Sequence, residues 1–232
     1  METLPFGFTL NIPEGCFPLS TDSMVLCDTV KLKKNASVLD LGSGCGTLGL
    51  LLSSLNPGCR ITGIEISEQA HQAALGNIAE NHLTGRMESL CKDLRSLPSF
   101  LTPGSYDCCI SNPPYFTGGP ASHKVPQARR DDLCSCRQLM KAAAWALKFG
   151  GDFYLVQKPE RLGELIGQGA AHGLECKQLT LVRHRQDGPV SLVLLQFRKG
   201  AKPGLILKEI SLHDYLGEPT KDYRRIYHLE EA

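Results

Sequence analysis

Asn112-Pro113-Pro114-Tyr115 brings together the groups that hold a planar NH2 group. The Asn112 side-chain oxygen and the Pro113 carbonyl each accept one of its two hydrogens. The Tyr115 ring lies on the face of the ring or amide that carries it. The run from Tyr106 to Ile110, followed by Ser111, reads as a short buried strand ahead of this stretch. Neither proline extends a ladder, because neither has an N–H. Both fix their own φ, and Pro113 drives Asn112 into an extended conformation. A plain proline turn after a strand is the alternative reading of the same residues.

A second group of residues lies upstream. A strand over Ser37–Leu41 runs into Asp40-Leu41-Gly42-Ser43-Gly44-Cys45-Gly46 and then a helix over Thr47–Leu55. Strand, glycine turn and helix make a ligand-binding corner of a doubly wound sheet. The glycines permit φ > 0 and close backbone approach. A rival frame, Gly44-x-Gly46-x-x-Gly49 with Glu65 roughly 20 residues further on, fits the dinucleotide pattern. Asp40 argues against it: a pyrophosphate would bring negative charge beside a carboxylate, which an ammonium or sulfonium tolerates far better. Hydride transfer also has no use for Asn-Pro-Pro-Tyr. Glu65 ends the next strand, Arg60–Ile66, where a carboxylate can accept from both ribose hydroxyls; a solvated strand-end Glu is the alternative reading.

The 232 residues suit one α/β domain with a real core. Their net charge of +1 is far from that of a duplex-wrapping protein, so any nucleic-acid contact must be local. No run is long enough to span a membrane. Met1–Leu10 has neither the basic nor the apolar region of a signal peptide, so the cytoplasm is the expected location. The ten cysteines include no Cys-x-x-Cys pair and lie mostly in apolar segments. They are expected as buried thiols, with zinc and disulfides disfavoured.

The positioning elements follow in order. Asp22 is expected to cap a helix over Ser23–Leu32, Ser67 a helix over Glu68–Asn81. Met87–Cys91 reads as a third strand followed by Lys92-Asp93. The long stretch Phe116–Asp132, with Lys124, Arg129 and Arg130, is a candidate target-binding lid or a solvated loop. A helix over Leu133–Leu147 is expected to stop at Lys148-Phe149-Gly150-Gly151. Phe153–Gln157 is a fifth strand and Pro159–His172 a helix. Leu174–Arg185 and Pro189–Arg198 form a hairpin around Asp187-Gly188. The tail carries Tyr215, Lys221, Tyr223, Arg224, Arg225 and Tyr227, either a weak nucleic-acid signature or a segment packed on the domain. The chain is read as a single domain, 1–232, with an entry segment 1–36, a core 37–200 and a tail 201–232.

The corner and Asn-Pro-Pro-Tyr together resemble the amino-methyltransferases, which move a methyl from S-adenosylmethionine to an adenine, guanine, cytosine or glutamine NH2. The order of motifs, the short entry segment and the Leu205–Tyr227 tail look like the bacterial tRNA adenine-N6-methyltransferases that act on a valine tRNA near its anticodon. That resemblance implies a Rossmann-like class I fold: a mostly parallel seven-stranded sheet ending in an antiparallel hairpin, with helices on both faces. It implies S-adenosylmethionine as cofactor, S-adenosylhomocysteine as product and RNA, foremost tRNA, as partner, with no metal and no membrane. Cofactor residues would be Thr21, Asp22, Asp40, Gly42, Ser43, Gly44, Gly46, Glu65, Ile66, Asp93, Leu94 and Asn112. In the family a Thr-Asp pair borders the methionine end, and an Asp placed like Asp93 accepts from the adenine amino group; a capping Thr-Asp and a turn-forming Asp93 are the alternatives. Asn112, Pro113, Pro114 and Tyr115 would be catalytic, and Phe116, Lys124, Arg129 and Arg130 would hold the acceptor. Competing acceptors are a release-factor glutamine, modified at N5, and a guanine N2 in rRNA. The glutamine enzymes usually carry a sizeable helical domain ahead of the corner, and here only about 36 residues precede it. A non-catalytic RNA-binding relic is the reading from another class.

Overall fold

Strand β3 (Ser37–Leu41) is buried along almost its whole length, and its alternation assigns the two layers that cover the sheet. Val38 belongs to a cluster with Leu50, Leu52, Ile61, Ile110 and Tyr154. Leu39 and Leu41 belong to the opposite one, with Leu139, Ala143, Phe153, Leu155 and Phe197. The computed structural model describes residues 2–4, 7–114 and 134–229.

A two-stranded hairpin of β1 (Glu2–Thr3) and β2 (Thr9–Leu10) leads to helix α1 (Thr21–Thr29). After β3 come α2 (Thr47–Leu55), β4 (Arg60–Glu65), α3 (Glu68–Glu80) and β5 (Met87–Cys91). A 3-10 turn, Leu94–Ser99, precedes β6 (Tyr106–Ser111). Then follow α4 (Cys136–Ala146), β7 (Leu147–Gln157), α5 (Leu162–Ala171), β8 (Leu174–Arg185), β9 (Val190–Lys199), β10 (Ile206–His213) and α6 (Lys221–Ile226). The sheet order is β10-β8-β9-β7-β6-β3-β4-β5. The five strands from β3 to β7 are parallel, β9 is antiparallel to both β7 and β8, and β10 is parallel to β8. From β3 the chain moves outward through β4 and β5, then returns to β6 on the other side of β3. The carboxyl ends of β3 and β6 therefore flank the switch point where such sheets bind ligands.

The expected seven strands are all present, and the sheet carries an eighth. Strand β10 lies in what the sequence offered as tail; it docks on the free edge of β8, from Ile206 against Gln178 to His213 against Arg185. Helix α6 then packs back on α1. Tyr223 and Tyr227 stack with centroids 4.4 Å apart, and the Arg225 guanidinium bonds Asp28 at 3.0 Å and Asp222 at 2.6 Å. Two further boundaries move. The cap of α1 is Ser20, not Asp22: its hydroxyl accepts from the Ser23 N–H at 3.4 Å. Helix α4, opened by a Ser135/Gln138 capping box, ends at Ala146, and Lys148–Gly151 is already strand.

The entry segment is fastened to α3 by two carboxamides one turn apart. Asn77 accepts from the Asn11 N–H at 2.8 Å and donates to the Asn11 and Cys45 carbonyls, each at 2.9 Å. Asn81 accepts from the Thr9 N–H at 2.8 Å and donates to the Thr9 carbonyl at 2.7 Å. Asn77 is buried, so Asn77→Ala leaves the buried Cys45 carbonyl without this partner and frees the exposed Asn11 backbone from α3. We expect a loss of about 2 kcal/mol. Thermal melts should shift down by roughly 4–8 °C. Limited proteolysis should then cut first in the entry segment.

Candidate active site

The cavity at the switch point is walled by the glycine turn, the ends of β4, β5 and β6, and the entry segment. Three glycines make the turn possible: Gly42, Gly44 and Gly46 have φ of 77°, 55° and 84°. A Cβ built on Gly42 or Gly44 meets no protein atom within 4 Å, so their requirement is conformational. Gly46 is also a packing position, since a Cβ there lies 3.0 Å from the Met87 methyl.

Four of the turn's amides are already committed. Gly42 and Ser43 donate to the Ile64 carbonyl at 2.9 and 3.0 Å, and Gly46 donates to the Ser43 carbonyl at 2.9 Å. The Gly44 N–H donates to Glu65 Oε2 at 2.8 Å, while Glu65 Oε1 accepts from the Ser67 N–H at 2.7 Å. A pyrophosphate is bound by free N–H groups at such a turn. Here four of those groups are committed within the protein, and the wall offers carboxylates as well. Both features count against the dinucleotide frame.

Under the turn lies Asp40, wholly buried, with neither carboxylate oxygen bonded to any described residue. Burial, and then the Glu65 charge, push its pKa up to about 8. A buried carboxyl without a partner is costly. It has a use beside a cationic ligand, whose charge favours the ionised form. Glu65 keeps lone pairs for ribose hydroxyls. Ser67, Gln69, Lys92 and Leu94 complete that side, and Gly15–Pro18 covers it, fixed by Gln69 Nε2 donating to the Glu14 carbonyl at 3.1 Å. This donor set fits the sulfonium, ammonium and ribose of S-adenosylmethionine.

The other wall is the end of β6. Ser111 is buried and donates to the Leu41 carbonyl at 2.6 Å, joining this strand end to the glycine turn. Asn112, Pro113 and Pro114 follow on the cavity wall. Asn112 Nδ2 donates to Ser23 Oγ at 3.1 Å, which leaves Oδ1 as its acceptor.

Of the residues expected to hold a cofactor, Gly42, Ser43, Gly44, Glu65, Ile66, Asp93, Leu94 and Asn112 share this wall. Four do not. Asp40 lies beneath the turn, buried and outside the cavity lining. Gly46 caps α2 and faces Met87 and Ala74. Thr21 and Asp22 are displaced because α1 starts at Thr21, which turns Ser23 to the cavity in their place. Thr21 Oγ1 instead pairs with the Tyr227 hydroxyl at 2.9 Å. Asp93 is on the wall, but it also caps the 3-10 turn and pairs with Arg95, which holds its carboxyl below the usual range. Tyr115, Phe116, Lys124, Arg129 and Arg130 lie outside the described residues. Gly15–Pro18, Ser23, Gln69 and Cys134 were missed. A Gly-x-x-Pro turn before the first helix is the only sequence signal for any of them.

Among the described residues no group of three or more His, Cys, Asp or Glu is placed to hold a metal ion. None of their helices is long and apolar enough to cross a membrane.

Comparison with known proteins gives a consistent result. Residues 18–165 match the methyltransferase small domain model. The tRNA1(Val) (adenine(37)-N6)-methyltransferase of Shewanella halifaxensis is 31% identical over 238 residues, covering 97% of this chain and 96% of its own. Its namesake from Bacteroides fragilis is 28% identical over 228 residues, covering 95% and 94%. Among solved structures, a predicted O-methyltransferase from Agrobacterium tumefaciens has the same fold, with a TM-score of 0.76 at 19% identity, covering 91% of this chain and 98% of its own.

Proposed function

The chain belongs to the methyltransferase small domain family and is an S-adenosylmethionine-dependent N-methyltransferase; we propose that its acceptor is the N6 amino group of an adenine in a tRNA. Adenine 37 of a valine tRNA, the acceptor named for its relatives, is the specific target we infer.

The observation that carries this reading is the polarity of Asn112. Its amide nitrogen is committed to Ser23, so the carboxamide meets the acceptor with an oxygen. An exocyclic amine brings two N–H donors and no available lone pair, because that pair is delocalised into the ring. Asn112 Oδ1 and the Pro113 carbonyl accept from the two N–H bonds. Held so, the nitrogen is favoured in the pyramidal geometry that frees its lone pair. Pro113 and Pro114 keep the two acceptors at a fixed spacing, because neither φ can turn. Bound S-adenosylmethionine supplies an electrophilic methyl on a cationic sulfur. Glu65 orients the donor through its ribose, and Asp40 balances its charge. Tyr115 stacks on an adenine that is unpaired or flipped out. The long stretch holding Phe116, Lys124, Arg129 and Arg130 grips the RNA, and the protein works in the cytoplasm. Positioning of this kind contributes up to roughly 7–11 kcal/mol in ideal cases.

The test uses labelled S-adenosylmethionine with three acceptors: an unmodified valine tRNA transcript, ribosomal RNA and a release-factor fraction. Label is expected in N6-methyladenosine from the tRNA. Label in N2-methylguanosine or in methylglutamine would replace the acceptor. Binding of S-adenosylhomocysteine with no transfer to any of them would favour the RNA-binding relic.

A further inference from the structure

We propose that Ser23 is a positioning residue that fixes which end of the Asn112 carboxamide meets the acceptor amine. The inference rests on the amine-methylating reading above. An amide is nearly symmetric in shape but not in chemistry: one end accepts and the other donates. If the NH2 end turned to the pocket, it would oppose the acceptor's own N–H bonds. Something outside the motif must choose, since the prolines fix only the backbone.

Ser23 makes that choice from a different element. It sits in the first turn of α1, is 4% exposed, and lies 3.1 Å from Asn112 Nδ2. A hydroxyl can donate or accept, so its own hydrogen must be occupied elsewhere for the choice to hold. Ser20 supplies the place: the two hydroxyl oxygens are 3.5 Å apart. With the Ser23 hydrogen turned to Ser20, Ser23 Oγ is left to Asn112 as an acceptor. Helix α1 is in turn held from outside by Tyr227 on Thr21 and Arg225 on Asp28, so the serine is presented from a fixed support.

The experiment has two arms. In steady-state assays with saturating donor, Ser23→Ala is expected to lower kcat about tenfold, the factor corresponding to one hydrogen bond. Affinity for S-adenosylhomocysteine should stay within about threefold, and Ser23→Thr should restore most of the loss. In an Asn112→Ala background, Ser23→Ala should cost nothing further, because the two residues act as a unit. An equal loss in both backgrounds, or an unchanged kcat, overturns the proposal. The second arm needs no acceptor. In protein labelled with 15N-asparagine, the side-chain NH2 signal that disappears in Asn112→Ala should exchange slowly with water in the parent and much faster in Ser23→Ala. Equal exchange overturns the proposal whatever the acceptor proves to be. Absence of transfer to tRNA by the parent bears only on the acceptor.

Discussion

Asn112→Ala should cut methyl transfer to tRNA by about 10²–10³-fold, with S-adenosylhomocysteine affinity changed no more than a few-fold. The magnitude follows from removing one of two aligned groups that act at the reacting atom, a loss known to cost about 2.7–4 kcal/mol of transition-state stabilisation. The asymmetry follows from position. The donor contacts we propose come from the glycine turn, Glu65 and Gly15–Pro18, on other elements than Asn112, which shares only the cavity wall with them. The backbone of β6 keeps its place through Ser111 on the Leu41 carbonyl, so truncating the next side chain leaves the strand end where it was. Single-turnover rates with preformed donor complex, set against calorimetric binding, separate the two effects. A rate within threefold of the parent would reduce Asn-Pro-Pro-Tyr to a turn. Asn112→Asp is a sharper companion. It keeps an acceptor but loses the bond donated to Ser23 and adds a charge, so it should fail to restore turnover.

The parts of this fold that could be read from sequence are those where one rule decides. Strands β3, β6 and β7 announce themselves as apolar runs closed by glycine or proline. The glycine turn has no other use for three glycines at alternate positions. Misplaced boundaries arose where tertiary contact overrode a local signal. Lys148-Phe149-Gly150-Gly151 looks like a helix stop, and Gly150 does take φ of 78°. The helix has ended before it, because Leu147 is captured by Tyr106 across the sheet. Strand β10 begins Ile206-Leu207-Lys208-Glu209, all exposed, with no alternation to reveal it. It is a strand because β8 offers an open edge. Gly42, Gly44, Glu65 and Asn112 could be placed together at one cavity from sequence, because a glycine turn and two strand ends are local signals. Asn77, Asn81 and Ser23 could not be placed, since each acts on a segment far away in sequence, and nothing in a polar residue on a helix reports its distant partner.

Asp40→Asn should stabilise the free protein at pH 8 while weakening its hold on the donor. The sign follows from proton linkage. An unfolded Asp40 titrates near 3.9. In the folded protein burial, reinforced by Glu65, moves that titration to about 8. Between those values the folded state keeps a proton that the unfolded state releases. Asp40's contribution to stability is therefore greatest below about pH 4, falls by about 1.4 kcal/mol per pH unit as the pH rises, and levels off above about pH 8. The accumulated penalty is on the order of 5 kcal/mol at pH 8, and asparagine, which has no charge to bury, escapes it. Melting curves of the two proteins should converge near pH 4 and separate steadily towards pH 8, with the variant higher. With donor the order reverses. A cation above the turn favours ionised Asp40, so binding should expel a proton below pH 8, measurable as a buffer-dependent calorimetric heat that the variant lacks. The same carboxyl thus destabilises the empty fold and contributes to holding a positively charged donor. A variant that melts lower than the parent at pH 8 would mean the carboxylate is already satisfied within the free protein, and the link between its burial and donor binding would fail.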